Sequence, residues 1–117
     1  MLINFDEIQP QELASFKGGE KSFNVKMFTD ENNKIMQGKL VPGASIGLHR
    51  HEGNSEIIFI TKGQGKVLYN GEYEAVSAGS VHYCPMGQEH SLINDSEADL
   101  EFWAVVPEHS SVAGCRK

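Results

Sequence analysis

The sequence predicts an all-β sandwich or barrel, and two observations predict it. From residue 23 onward, short segments alternate apolar and polar residues and are parted by glycine-, proline- and asparagine-containing turns at close spacing. Asn70-Gly71 lies between two such segments, and this pair supplies the two positive φ angles of a type I′ hairpin turn.

Taken in order, residues 6–16 are expected to hold a short helical segment, limited by Pro10, which fits only a first helical turn. Phe23, Val25 and Met27 alternate with polar residues as a half-buried strand does. Residues 30–33 form a polar turn, and residues 34–41 the next strand, closed by Pro42-Gly43. Residues 45–51 read as a strand. Residues 56–62, rich in β-branched side chains, read as another ending at Gly63. Residues 65–69 and 72–76 flank Asn70-Gly71. Residues 80–84, 90–94 and 99–106 complete the set, with a turn at 95–98. A chain of 117 residues suits one domain, 1–117, with a core barrel over about 23–107.

A formal net charge of −6 and scattered lysines and arginines oppose a nucleic-acid role, which needs a basic patch. No stretch approaches the length of apolar residues that a membrane span needs, and the N-terminus lacks the basic start and apolar run of a signal peptide. Cys84 and Cys115 are far apart and read as free thiols, so the expected location is cytoplasmic.

The histidines carry the chemical signal. His49 and His51 stand two apart in a predicted strand and therefore share a face. Glu56 follows after a stretch long enough for a tight turn, on a face shared with Ile58 and Ile60. A carboxylate among such residues is costly to bury without a partner. His90 is distant in sequence, but a barrel can bring it opposite the other three. Three imidazoles and a carboxylate suit Zn, Mn, Ni, Fe or Cu. Spacing alone leaves a surface His-x-His open as the alternative.

Residues 43–63 read Gly43, five residues, His49-x-His51, four residues, Glu56, six residues, Gly63. Residues 79–94 read Gly79, five residues, Pro85-x-Gly87, two residues, His90, three residues, Asn94. The two segments resemble the first and second cupin motifs at every defined position, with a short gap of residues 64–78 between them. The resemblance implies a cupin jelly-roll β-barrel that holds one divalent metal ion per chain near one mouth, with His49, His51, Glu56 and His90 as ligands. Gly43, Gly63, Gly79, Pro85 and Gly87 are then turn-forming residues, and Asn94 ties a loop.

Secondary candidates surround this set. Ser45 and Gly47 share the His49 face and should line the barrel, and Met36, Met86, Phe59, Phe102 and Trp103 are candidates for the pocket wall. His82 and Cys84 fall on one face of their strand, Val81 and Tyr83 on the other. His82 is a candidate acid or base beside the metal, or else a hydrogen-bonded core histidine; Cys84 reads as a small buried filler. Gln88 and Glu89 sit on the loop before His90, and Arg50 points away from the ligand face. Ile57 and Phe59 would face outward, where a second subunit gives the simplest cover, so a homodimer is expected. His109 and the tail from Ser110 carry no signal.

For function, the resemblance implies a metal-dependent enzyme acting on a small polar metabolite such as a sugar or sugar acid, of isomerase, lyase or dioxygenase type. Glu56 is the candidate for proton transfer. The alternative is a non-catalytic module that binds or senses a small molecule. A structural role for the metal ranks last.

Overall fold

The computed structural model describes residues 1–109. Cys115 and the tail from Ser110 lie outside the described residues. The described residues form ten strands: β1 (Gln11–Ala14), β2 (Ser22–Thr29), β3 (Asn33–Leu40), β4 (His49–Arg50), β5 (Glu56–Lys62), β6 (Gln64–Tyr69), β7 (Glu72–Ser77), β8 (Val81–Cys84), β9 (Glu89–Ile93) and β10 (Leu100–Pro107). They form a six-stranded sheet in the order β1-β2-β3-β10-β5-β8 and a four-stranded sheet in the order β4-β9-β6-β7, the two layers of a jelly roll.

Alternation decides what lies between the sheets. Phe23 and Val25 of β2, Met36 and Leu40 of β3, and Phe102 and Ala104 of β10 turn inward and are buried, facing Val67 of β6 and Leu92 of β9. Phe23 and Phe102 stack at 5.7 Å between ring centres. Gly38 makes this possible, because a Cβ there would stand 2.6 Å from both rings. Burying such side chains removes water from apolar surface at roughly 25 cal/mol per Å², which is the main force closing the sandwich. At the hairpin, Asn70 (φ 49°) and Gly71 (φ 88°) take the two left-handed conformations expected of a type I′ turn between β6 and β7.

Two expectations need correction. The short helical segment expected at 6–16 is reduced to 3-10 turns: one at Phe5–Glu7, then the strand β1, and a second at Phe16–Gly18. Pro10 cannot sit inside a helix, and β1 instead pairs with β2, from Gln11 opposite Val25 to Ala14 opposite Ser22. The predicted strand at 45–51 shortens to His49–Arg50. Its first half divides its hydrogen bonds between two neighbours. Ile46 N donates to Leu92 O at 2.9 Å, whereas Ser45 N donates to Glu20 O at 3.0 Å and Gly47 N to Phe16 O at 3.0 Å.

Residues 15–21 thus form a strap held against 45–47. The approach is backbone to backbone: a Cβ on Gly47 would lie 1.9 Å from Lys17 O, and one on Gly19 2.0 Å from Ser45 O. Ser15, Lys17 and Lys21 all adopt positive φ (49°, 56° and 56°), which lets the strap double back within a few residues. The first residues of the strap, Phe16 and Lys17, reach the end of the sandwich that holds His49, whereas its last, Lys21, donates to Pro42 O at 2.7 Å.

Candidate metal centre

Both sheets contribute to one cluster. His49 on β4 pairs directly with His90 on β9 in the four-stranded sheet, His51 lies just beyond β4, and Glu56 opens β5 in the six-stranded sheet. Their ligand atoms all fall within 4.8 Å of one another. His51 Nε2 lies 3.0 Å from His90 Nε2 and 3.0 Å from Glu56 Oε1. His90 Nε2 lies 3.2 Å from His49 Nε2 and 3.0 Å from Glu56 Oε1. His49 Nε2 and Glu56 Oε1 are wider apart, at 3.9 Å. His51, Glu56 and His90 are buried, and His49 is partly exposed.

The outer nitrogens of the rings are fixed by different partners. His49 Nδ1 donates to Gly47 O at 2.7 Å. His51 Nδ1 donates to Asn54 Oδ1 at 2.7 Å, and Asn54 is held by donating to Glu108 Oε2 at 3.3 Å. A carbonyl oxygen only accepts, so both rings carry their hydrogen on Nδ1 and aim an Nε2 lone pair at the cluster. His90 Nδ1 lies 3.0 Å from Nε2 of the buried His82.

This arrangement demands a positive charge at its centre. Imidazole lone pairs and a carboxylate repel one another at 3 Å unless a cation lies among them. Burial alone would raise the Glu56 pKa, but the surrounding imidazoles of His49, His51 and His90 outweigh burial and hold it well below its usual range. Burial alone would likewise lower the His51 pKa, yet its hydrogen bonds to Glu56 and Asn54 leave it raised. Burial is the largest influence on His90 and keeps its pKa lowered. With its Nδ1 hydrogen already donated, an imidazole that also gives a hydrogen to Glu56 is a cation. A proton therefore balances the cluster when no metal is bound. The donors equally fit a metal ion: ligand atoms ~2.1 Å from a common ion at right angles stand about 3.0 Å apart, the spacing that most of these pairs show. Three nitrogens and one oxygen suit a borderline divalent transition metal.

The cluster opens into a cavity of about 250 Å³ whose wall includes Met36, Phe16, Ile46 and Val106, with Lys17, Lys34 and Arg50 among its polar members. Of the residues expected at a pocket, Met36 lines this cavity. The others are placed elsewhere. Ser45 Oγ accepts from Glu20 N at 2.9 Å, Gly47 lies beneath the strap, Gln88 Oε1 accepts from Asn70 Nδ2 at 2.6 Å, and Phe102 is stacked in the core. His82 sits behind His90 rather than in the cavity, and Cys84 is fully buried opposite Glu56. Burial first, and then the Glu56 charge, push the Cys84 thiol up to about 11, so it is a neutral filler. Arg50 lines the cavity while donating to Gly87 O, with Glu89 Oε1 at 3.4 Å. Sequence reading missed Asn54, Phe16, Lys17 and Lys34. Asn54 lies inside the His-x-His…Glu spacing at hydrogen-bonding range of a ligand, a signal that was there to use. The rest come from the strap and β3, which no local pattern links to the histidines. His109 Nε2 lies 2.8 Å from Ser55 Oγ, next to Glu56 in the chain.

The comparisons with known proteins bear on these same residues. The family model described as "Cupin domain" matches residues 37–106, a span that includes His49, His51, Glu56 and His90. The chain belongs to the cupin domain family. An oxalate-binding protein of Thermotoga maritima is 35% identical over 112 residues, covering 91% of this cupin and 93% of that protein. The crystal structure of a predicted oxalate decarboxylase from Thermotoga maritima is similar with a TM-score of 0.86 at 32% identity, covering 92% of this chain and 99% of the other. A cupin-superfamily sugar phosphate isomerase from Silicibacter pomeroyi shares the fold alone, at 18% identity and a TM-score of 0.76, covering 92% of this cupin and 76% of that chain.

Burial first, and then the charge of His90, lower the His82 pKa from 6.5 to about 4. Between those values the unfolded chain binds a proton at His82 and the folded chain does not, so stability rises with pH across the window and is lost on acidification. The metal-free protein is expected to lose on the order of 3 kcal/mol from this residue between pH 6.5 and pH 4. Urea unfolding at several pH values checks this: the loss should be visibly smaller in His82→Phe, and parallel pH profiles would contradict it.

Proposed function

We propose that this cupin holds one divalent ion, Zn, Mn, Ni, Fe or Cu, on His49, His51, Glu56 and His90, and acts there as a metal-dependent enzyme on a small oxygen-rich anion such as a short dicarboxylate or sugar acid. The observation that carries the reading is the four-donor cluster facing a small cavity that also presents Lys17, Lys34 and Arg50. About 250 Å³ is below the usual range of drug-sized sites, which favours a small occupant. Three cations line the cavity against one carboxylate, Glu52, besides the ligand Glu56; this excess favours an anion, and the name of the oxalate-binding relative supports a carboxylate.

A bound ion would polarise a carboxylate or carbonyl oxygen and acidify a water. The chain's own residues do the rest. Lys17, Lys34 and Arg50 attract and orient the anion, while Phe16, Met36, Ile46 and Val106 give the cavity its apolar wall. Glu56, the candidate for proton transfer, is held ionised at the centre, and a pKa so far below the usual carboxylate range suits it better to holding the ion than to taking a proton from a substrate hydroxyl. The second reading is a binding module without turnover, and the oxalate-binding relative is the observation that favours it. The ligand is a small molecule in both readings. An acidic chain with no helix among the described residues long and apolar enough to cross a membrane gives no support to a nucleic-acid or membrane partner. The free buried thiol of Cys84 is in keeping with a cytoplasmic location.

Titration calorimetry of the metal-loaded protein with oxalate is expected to show binding that weakens by about tenfold in the Lys17→Gln, Lys34→Gln double variant, a change of ~1.4 kcal/mol. Equal binding by the variant, or none by the wild type, would contradict the anionic class. Product formation with oxalate or small sugar acids decides between the enzyme and the binding module.

A homodimer is the second part of this proposal. The outer face of the six-stranded sheet carries a row of Phe28, Ile35, Val105, Ile57 and Tyr83, set side by side by the strand registers, next to a row of Trp103, Phe59 and Val81. Tyr83, Val81 and Phe59 are 56%, 58% and 43% exposed, and Phe5 covers part of Trp103 with its rings 4.8 Å apart. An apolar face of this extent favours a second copy as cover. Light scattering should find a dimer for the wild type and a monomer for Phe59→Glu; a monomeric wild type would contradict it.

A further inference from the structure

We propose that His82 is a positioning residue of the metal centre: it accepts the Nδ1 hydrogen of His90 and so fixes the tautomer that turns the His90 Nε2 lone pair toward the ion. The inference rests on the reading that the four-residue cluster holds a metal. His82 belongs to β8 of the six-stranded sheet, and it reaches across the sandwich to His90 on β9. Its side chain is 4% exposed, and its Nε2 lies 3.0 Å from His90 Nδ1 with the rings close to parallel, 5.2 Å apart and inclined by 28°. The edge-to-face contact with Tyr69, 5.4 Å between centres, holds the His82 ring from another side.

The need for such a residue follows from the other two histidines. His49 and His51 rest on oxygen acceptors, Gly47 O and Asn54 Oδ1, so their tautomers admit one choice. His90 rests on another imidazole, which can accept or donate. If His82 donated from Nε2, the remaining hydrogen of a neutral His90 would sit on Nε2 and point at the ion. Nδ1 of His82 faces Glu74 Oε1 at 3.9 Å, too far for a hydrogen bond but near enough for the carboxylate to favour the hydrogen on Nδ1. His82 Nε2 is then left as the acceptor. Position 82 falls on an undefined place between Gly79 and Pro85 of the second motif, so the motif does not supply this residue.

Partners of this kind commonly contribute about 10–100-fold to metal affinity. The test compares the wild type with His82→Phe, which keeps an aromatic ring and removes the acceptor, and His82→Gln, which can place an amide oxygen where Nε2 was. Zinc and cobalt(II) affinities are measured by competition with a chromophoric chelator, and the cobalt absorption spectrum is recorded for each. His82→Phe is expected to bind at least tenfold more weakly with an altered cobalt spectrum, and His82→Gln to recover most of both. Equal affinity in wild type and His82→Phe would overturn the proposal, as would equal loss in both variants. Should a variant fail to fold, nitrogen NMR of the imidazoles in the zinc-loaded wild type decides the question. Hydrogen on Nδ1 of both His90 and His82 supports the proposal, and hydrogen on His82 Nε2 overturns it. A wild type that binds neither metal overturns the site reading and this inference with it, whereas a wild type that binds and is insensitive at position 82 overturns the inference alone.

Discussion

Four buried or half-buried donors facing one point are the constraint around which the rest of this cupin is arranged. Lone pairs of three imidazoles and the charge of Glu56 would push apart without a cation among them, and each side chain is instead held inward by its surroundings. The two sheets supply complementary pieces: β4 and β9 bring His49 and His90 side by side, while β5 delivers Glu56 from the facing layer. A slip of one residue in either sheet would turn a ligand to the other face. The outer ring nitrogens rest on a backbone carbonyl, an asparagine and a histidine, which orients the cluster before any ion arrives. A metal ion bound there would take the place of the proton, and its binding would release that proton.

The strap at residues 15–21 turns this cluster into the floor of a small cavity. Its path depends on the absence of side chains at Gly19 and Gly47 and on three non-glycine residues held at positive φ. Backbone of this kind persists where surrounding contacts over-determine it, and here Ser45 Oγ, Glu20 O and Phe16 O provide them. The result places an aromatic ring and a lysine over a site whose ligands all come from strands or strand ends elsewhere in the chain.

Much of the candidate site was legible because the motifs are local. His49, His51 and Glu56 lie within eight residues, and their spacing on a strand already puts two imidazoles together. His90 needed the fold to join them, and the resemblance to the cupin motifs provided that step. The alternation of apolar residues likewise revealed most strands and put His82 and Cys84 on one face, which the structure turns inward. What stayed hidden depends on contacts distant in sequence. β1 looked helical because its pairing with β2 is invisible locally, and the strand at 45–51 lost its first half because the strap takes up its backbone hydrogens. Ser45 and Gly47 share the His49 face by simple alternation, yet the chain bends there and their places are taken by Phe16 and Lys17.

The most direct test of the central claim is metal content by mass spectrometry for protein purified without a metal-binding tag, beside His51→Ala and His90→Ala. The account predicts close to one divalent ion per chain in the wild type and almost none in either variant. A wild type that stays free of metal after reconstitution with zinc, manganese, nickel, iron and copper in turn would contradict it, and the four residues would be a polar pocket neutralised by a proton.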